Sequence, residues 1–549
     1  MNASVKWSLA ATLLMVGFAT GGLASTPPTE SSEYIDAATI RVNTAPSKVS
    51  RLVAANTPVT VTISVTPVNF KFSGVFTATA TDPYGLFQQA VAATPTRSGG
   101  YLLDLTVATD AVVGNYSGEI TIELCADKTC TRFQRVRKLV IPFNIDVLSN
   151  TSPWNGNHLS PLAAWSGVPD WTMFQGNAAH TGYVPVKLDP NRFATRWQGP
   201  NLPNPADSYN SYFDGPNTIT TSNGHLYVAF GSANSSPGPA LYAYRELDGS
   251  LVWQYNFNTL QFPSVNPPAV ANGIVYIAAG QQESTYLFAF KASDGSLVFK
   301  SQISSQWEHY LAPAIGSKGV YTNAGTYGGL FGFDFTGKQL FFAPLPQTSM
   351  WAPAVDSHHV YTYTDVGLSV FDPVTGIESA AIADPTFTNY IYEIGGSAVL
   401  GASGSVFAAN YANSSLNGGG IGNTLIHFDL TQQKITWKVP GDYPLTPAYH
   451  GGVVYAVNNN PVRVEGRSEK SGTLVWSWTP PQAGDTQFAS EVLLTDDILF
   501  VSTNLATYAV DLARQKTIWS YPMVGRLALS RNGVLYIQGQ GPLVAINVK

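Results

Sequence analysis

Residues 241–253, LYAYRELDGSLVW, decide the fold. The stretch opens on an alternating apolar run, turns through Asp-Gly, and closes on a second run that ends in Trp. Alternation marks a strand, and Asp-Gly between two such runs marks a tight hairpin. The phrase returns as LFAFKASDGSLVF (287–299), LFGFDFTGKQLFF (330–342), LSVFDPVTGIESA (368–380), LIHFDLTQQKITW (425–437), VRVEGRSEKSGTLVW (462–476) and TYAVDLARQKTIW (507–519), then as a truncated LVAINVK (543–549). Ahead of each copy lies a second phrase of the type HLYVAF or IVYIAA. Its central rings are Tyr227, Tyr276, Tyr321, Tyr361, Phe407, Tyr455, Phe500 and Tyr536, spaced by 49, 45, 40, 46, 48, 45 and 36 residues. That period fits a four-stranded propeller blade, which needs roughly 40–50 residues.

Seven units, beginning near Asn217, Pro267, Leu311, Trp351, Gly395, Leu445 and Ser490, each hold four strand-like runs, whereas 525–549 holds three. The strand ending at Trp197 precedes the first unit and supplies the missing fourth. The sequence therefore predicts an eight-bladed propeller closed by pairing strands from opposite ends of the chain, which removes free sheet edges. The aromatic residues that end the hairpins (Trp197, Trp253, Phe299, Phe341, Trp437, Trp476 and Trp519) are expected to dock between blades as packing residues, not as cofactor ligands.

The chain before the repeats divides into three. Residues 1–24 carry Lys6, an apolar stretch 9–19 and small residues near Ala24, the pattern of a secretory signal peptide. The apolar core is too short to span a bilayer, and Ser25 leaves no cysteine for lipid attachment. A periplasmic or secreted protein is expected. Residues 30–148 hold short alternating strands separated by turns and predict an immunoglobulin-like β-sandwich. The chain's two cysteines, Cys125 and Cys130, flank a four-residue loop. In an exported protein such a pair is most simply a disulfide, since two thiols without nearby His cannot complete a tetrahedral metal shell. Residues 149–169 are a linker, and 170–549 form the propeller. Charged residues make up only 12% of the chain and the net charge is −6. With no Lys/Arg cluster, nucleic acid is excluded as a partner. No later run is apolar enough to cross a membrane, and a monomer is expected.

The segment WTMFQGNAAHTGYVPVKLDPNRFATRW (171–197) joins a Trp, a Gly-Asn, a His-Thr-Gly and a strand ending in Trp. It resembles the entry to pyrroloquinoline-quinone-type propellers, the quinoprotein alcohol-dehydrogenase-like superfamily, which includes the propeller subunit of the bacterial outer-membrane barrel-assembly machinery. The repeated A-x-x-x-x-[DT]-G-x-x-x-W element of that family is matched best by Ala243, Asp248, Gly249 and Trp253. Weaker copies are Ala289, Asp294, Gly295 with Phe299, and Asp372, Thr375, Gly376. The resemblance spans 168–549 and implies the fold, while one scaffold hosts many roles.

Within a blade of strands A to D, the A–B and C–D turns share one face, and the B–C and D–A connections share the other. The former are short here, and the latter are long, aromatic and polar. Loops on a rigid scaffold are where binding is built. Position within the unit places Asp214, Glu308, His309, Trp351, Tyr392, Glu393 and Arg526 near an axial mouth as candidate ligand-binding residues. The reading that follows is an exported non-catalytic binding or scaffold protein, holding a protein or other cell-envelope ligand on this face. A pyrroloquinoline-quinone oxidoreductase with calcium, and a surface carbohydrate-binding or adhesion protein, are the alternatives. Family enzymes pair calcium, held by Asn and acidic side chains, with an adjacent-cysteine disulfide and a catalytic Asp. This propeller has no cysteine and no evident calcium ligand set, so no cofactor, metal or catalytic residue is expected. No G-x-S-x-G, H-E-x-x-H or Walker loop occurs, His358-His359 reads as a turn, and Gly418–Gly420 reads as a linker between strands.

Overall fold

A computed structural model describes residues 41–549, apart from 56, 73–75, 109–110, 113, 130–131, 149–158, 160, 203–217, 231–239, 258–263, 282–283, 305–311, 349–350, 387–395, 411–423 and 540. The described chain is all β, with two short 3-10 turns at Phe174–Gly176 and Pro190–Arg192.

The N-terminal unit comprises β1 (Val42–Ala45), β2 (Val49–Ala54), β3 (Val59–Pro67), β4 (Thr77–Thr81), β5 (Ala90–Pro95), β6 (Tyr101–Val107), β7 (Gly114–Cys125) and β8 (Phe133–Leu148). Their order is β1-β3-β6-β5-β4-β7-β8-β2. Alternation in β6 buries Tyr101, Leu103, Leu105 and Val107 on one face. One core joins Val61, Ile63 and Leu103 from one end of this order to Ile120, Ile141 and Ile145 from the other. The sheet therefore folds over on itself as a β-sandwich. Cys125 ends β7, buried and opposite Phe133. Among the described residues no cysteine is free, and Cys130 lies outside them.

The propeller has eight sheets. Blades 1 to 7 occupy 220–256, 264–303, 314–344, 354–383, 399–440, 448–478 and 493–521, and blade 8 combines 526–547 with β9 (Ala194–Leu202). In the closing sheet Gly541–Asn547 runs antiparallel to β9, with Ala545 opposite Trp197. The pairing of strands from opposite ends of the chain closes the ring, as the three-run terminal unit predicted. Inner strands such as Val360–Thr364 are buried throughout because neighbouring blades cover both faces. Outer D strands such as Leu251–Asn256 alternate, with one face to solvent.

The register explains the repeated aromatic. In blades 1, 2, 3, 6, 7 and 8 an Ala or Gly of strand C faces it, directly before a β-bulge: Ala243 faces Trp253, Ala289 faces Phe299, and Gly466 faces Trp476. In blade 5 His427 faces Trp437. The ring leans onto the C–D turn of the next blade. A Cβ added to Gly295 would lie 2.6 Å from the Trp253 ring, and one on Gly249 would lie 2.9 Å from Trp197. Both glycines also have φ near +71°, so the turn excludes a side chain twice over. Four of the indoles donate to a carbonyl of the next blade: Trp197 to Glu246 (2.9 Å), Trp253 to Ala292 (3.0 Å), Trp437 to Glu469 (2.8 Å) and Trp476 to Leu512 (2.7 Å).

Candidate functional site

Strand A is the innermost of each blade, and most successive A strands touch one another around the ring. Their edges turn N–H groups toward the axis, and residues 165–184 meet them there. Thr221 donates to the Trp171 carbonyl (2.7 Å), Val270 to Thr172 (2.9 Å), Val355 to Ala178 (2.7 Å), Leu400 to Ala179 (2.9 Å), Tyr449 to Thr181 (2.8 Å) and Leu494 to Gly182 (2.7 Å). Blade 3 offers the Ile315 N–H to the Met173 sulfur at 3.2 Å, and blade 8 accepts the Trp165 N–H through Arg531 at 2.9 Å. One strap thus touches all eight blades. These contacts fall at the A–B turn end, so the strap closes the ring on the short-turn face. Gln175 and His180 lock it: the Gln175 amide donates to the Thr446 and Pro447 carbonyls, and His180 Nδ1 donates to Ala398 at 2.9 Å. The sequence reading took 171–197 as a family signature and 149–169 as a linker and missed this role, because the strap has no hydrophobic period to betray it.

The opposite face carries the B–C and D–A connections, and a set of buried carboxylates anchors its described part. Asp384, at the end of blade 4, receives Lys438 of blade 5 at 2.6 Å, together with Tyr363 at 2.8 Å and Thr386 at 2.6 Å. Burial opposes its charge, but Lys438, Thr386 and Tyr363 hold its pKa below the ordinary carboxylate value. Glu465 of blade 6 is gripped by Arg463 and Arg467, both at 2.6 Å, with Tyr443 at 2.7 Å and Asn458 at 3.1 Å. Its pKa too is held down against burial, by Tyr443, Arg463, Asn458 and Arg467. In blade 7 Asp485 accepts from Thr503 and Tyr508. The Asp384 and Glu465 side chains are 0% exposed, while Lys438, Arg463 and Arg467 keep 29%, 31% and 12% of theirs. The rim therefore presents the Lys438 and Arg463 heads fixed from beneath, while Arg467 reaches the Gly472 carbonyl of the C–D turn and Tyr363, Tyr443 and Tyr508 are fully buried, their pKa raised by that burial.

Of the candidate mouth residues, Asp214, Glu308, His309, Tyr392 and Glu393 lie outside the described residues. Trp351 is 0% exposed and gives its indole N–H to Thr348 at 2.7 Å, so it offers no face to a ligand. Arg526 begins strand A of blade 8 and is ion-paired with Glu491, its side chain 23% exposed. His358 and His359 occupy a turn capped by Asp356, which accepts both their N–H groups at 2.7 Å.

The family profile described as "Outer membrane protein assembly factor BamB" matches residues 180–477, more than half of the chain. The chain belongs to that family. Among solved structures, BamB from Moraxella catarrhalis is 16% identical, with TM-score 0.45, covering 60% of this chain and 94% of its own. A europium-containing methanol dehydrogenase is 13% identical, with TM-score 0.47, covering 68% and 90%. No curated protein matches the chain in sequence.

In this BamB-family propeller the buried acids of the described part are already committed to partners within the chain. Among the described residues no three His, Cys, Asp or Glu converge as a metal set. Asp384 and Glu465 are already matched by cations of the chain itself. Among the described residues no helix is long and apolar enough to cross a membrane.

Proposed function

We propose that this protein is an exported, non-catalytic scaffold of the cell envelope that holds a protein partner on the loop-bearing face of its propeller. The rim of Lys438 and Arg463, fixed over buried carboxylates, carries the reading. Side chains immobilised before binding lose little entropy on contact, which is what a protein-binding surface gains from preorganisation. The family description, an outer-membrane assembly factor, supports an envelope partner. Export rests on the N-terminal 24 residues and is checked by the mass of the mature protein. The N-terminal sandwich is immunoglobulin-like in this reading, supported by a first strand split between layers: β1 antiparallel to β3 and β2 parallel to β8. A Cys125–Cys130 disulfide, read by non-reducing peptide mass, belongs to the same proposal.

The deciding experiment places a photo-cross-linking residue at position 460, in the exposed B–C turn of blade 6 beside Arg463, in the native host. Cross-links to one envelope protein, reduced at least tenfold by Arg463→Glu, are expected. Cross-links no more specific than those from an outer D strand, or a bound quinone chromophore in the purified protein, would overturn the assignment.

A further inference from the structure

The outer strand of blade 4 stands apart from the other seven. Glu378–Ala383 reads ESAAIA and holds no aromatic residue, whereas every other outer strand carries a Trp or Phe. Ala380 takes the ring's place, opposite Val370 and immediately before the bulge. Its space is filled, because Ala380, Leu400, Leu430 and Ile435 pack against the core that blades 4 and 5 share. The outer strands of the two blades, Glu378–Ala383 and Lys434–Pro440, come into contact with each other.

The open edge of Glu378–Ala383 is defined by its register. Asp384 donates its N–H to the Val366 carbonyl at 3.2 Å, and Ala383, Ile382 and Ala381 follow opposite Gly367, Leu368 and Ser369. Hydrogen-bonded pairs alternate with non-hydrogen-bonded ones in an antiparallel ladder. Ile382 therefore turns its N–H and C=O to strand C, while Ala381 and Ala383 turn theirs outward. Both alanines are exposed, and no charge or proline occurs from Ser379 to Ala383. Natural edges are guarded by such residues, and this one offers methyl groups alone.

The edge lines a groove of ≈ 610 Å³ on the outer wall, with residues 433–438 of blade 5 as its other side. Ile382, 5% exposed, and Ile435 give it an aliphatic floor. No acidic residue is among its described lining. Lys438 is matched by Asp384, which leaves the exposed Lys434 as the groove's uncompensated charge. We propose that an extended segment of a partner protein adds to this edge as a fifth strand of blade 4, pairing with the outward N–H and C=O groups of Ala381 and Ala383 and setting an acidic side chain against Lys434. In strand addition the main-chain hydrogen bonds supply affinity and alternate side chains supply selection. An incoming backbone must approach to about 4.8 Å, which alanines permit. The surface does not rest on the reading given to the cationic rim. The rim experiment takes its control from Leu251–Asn256, an outer strand of another blade, so the two fail separately.

The probe is the acetylated, amidated peptide Val-Thr-Val-Asp-Val, added to the full chain and followed by hydrogen–deuterium exchange of residues 378–385. Millimolar or tighter binding is expected, slowing exchange of that segment at least threefold, with the Val-Thr-Val-Lys-Val peptide several-fold weaker. Ala381→Pro removes only an outward N–H, a place where an edge strand tolerates proline, and should weaken binding at least tenfold. Ala383→Lys, which guards the edge as natural sheets do, should do the same and gives a second variant with the ladder intact. No slowing at 378–385 with saturating peptide, or undiminished binding to both variants, overturns the proposal. Slowing that grows with protein concentration in the absence of peptide overturns it in favour of a second copy of this chain on the same edge.

Discussion

Glu246 sits at the seam between blades 1 and 8, with Asn532 and Tyr536 as hydrogen-bond partners. Burial pushes its pKa up to about 7, against the hydrogen bonds from Asn532, Ser530 and Tyr536, and the charge of Asp170 adds to the rise. A carboxyl whose folded pKa lies above its unfolded value binds its proton more tightly in the native state. Stability is then greatest below the ordinary value of 4.5 and falls as pH rises to about 7, by about 3 kcal/mol for this one group. His180 works in the other direction. Burial lowers it to about 4, so its contribution is full above 6.5 and is lost as pH falls toward 4. The two slopes oppose one another in mild acid, and above pH 6.5 only Glu246 still titrates. Glu246→Gln keeps the shape and cannot ionise, so it should match the native chain at pH 4 and exceed it by up to about 3 kcal/mol at pH 8. Chemical denaturation at the two pH values reads this directly, and a variant less stable at pH 8 would show that the carboxylate is favoured at the seam.

At the scale of the hairpin, the aromatic wedge makes two separable contributions. Trp253→Phe keeps the ring and removes the N–H that reaches Ala292, at a cost of about 1 kcal/mol. Phe299 and Phe341 show that a phenyl ring fits the position. Gly295→Ala forces a Cβ to within 2.6 Å of that ring from a backbone at φ +71°, and should cost roughly 2–3 kcal/mol. Denaturation midpoints check both, and a Gly295→Ala loss within 0.5 kcal/mol would mean the blades slide apart freely. These hairpins were legible in the sequence because strand period, turn chemistry and blade spacing are local properties repeated many times over. The strap was not, because its hydrogen bonds go to strands scattered from Thr221 to Leu494 and use backbone groups that every sequence has. Trp351 was misplaced for a related reason: its place after a loop says nothing about which way its ring turns. The anchored rim did leave one readable trace. Arg463, Glu465 and Arg467 alternate along a single strand and so share one face, a spacing that makes a buried carboxylate between two guanidinium groups foreseeable.

For the molecule as a whole, the closing sheet joins parts of the chain far apart in sequence: Arg196 donates to Asn547 at 3.0 Å across 351 positions. Its core is shared, since Trp197, Tyr536 and Ala545 belong to one cluster with Leu226 and Tyr242 of blade 1 and Trp519 of blade 7. Removing 541–549 therefore does more than shorten blade 8. It leaves β9 without a partner, uncovers a sheet edge on Val534–Gln538, and strips the packing of both neighbouring blades. Local unfolding at the seam should then spread around the ring, because each blade is stabilised mainly by the two it touches. The truncated chain is expected to melt at least about 10 °C below the full one, with protease cuts appearing first in blades 7, 8 and 1. The N-terminal sandwich, which has a core of its own, should persist as a resistant fragment. A truncated chain melting within about 3 °C of the intact one would mean that the terminal strands decorate a ring already held shut by the strap at its axis.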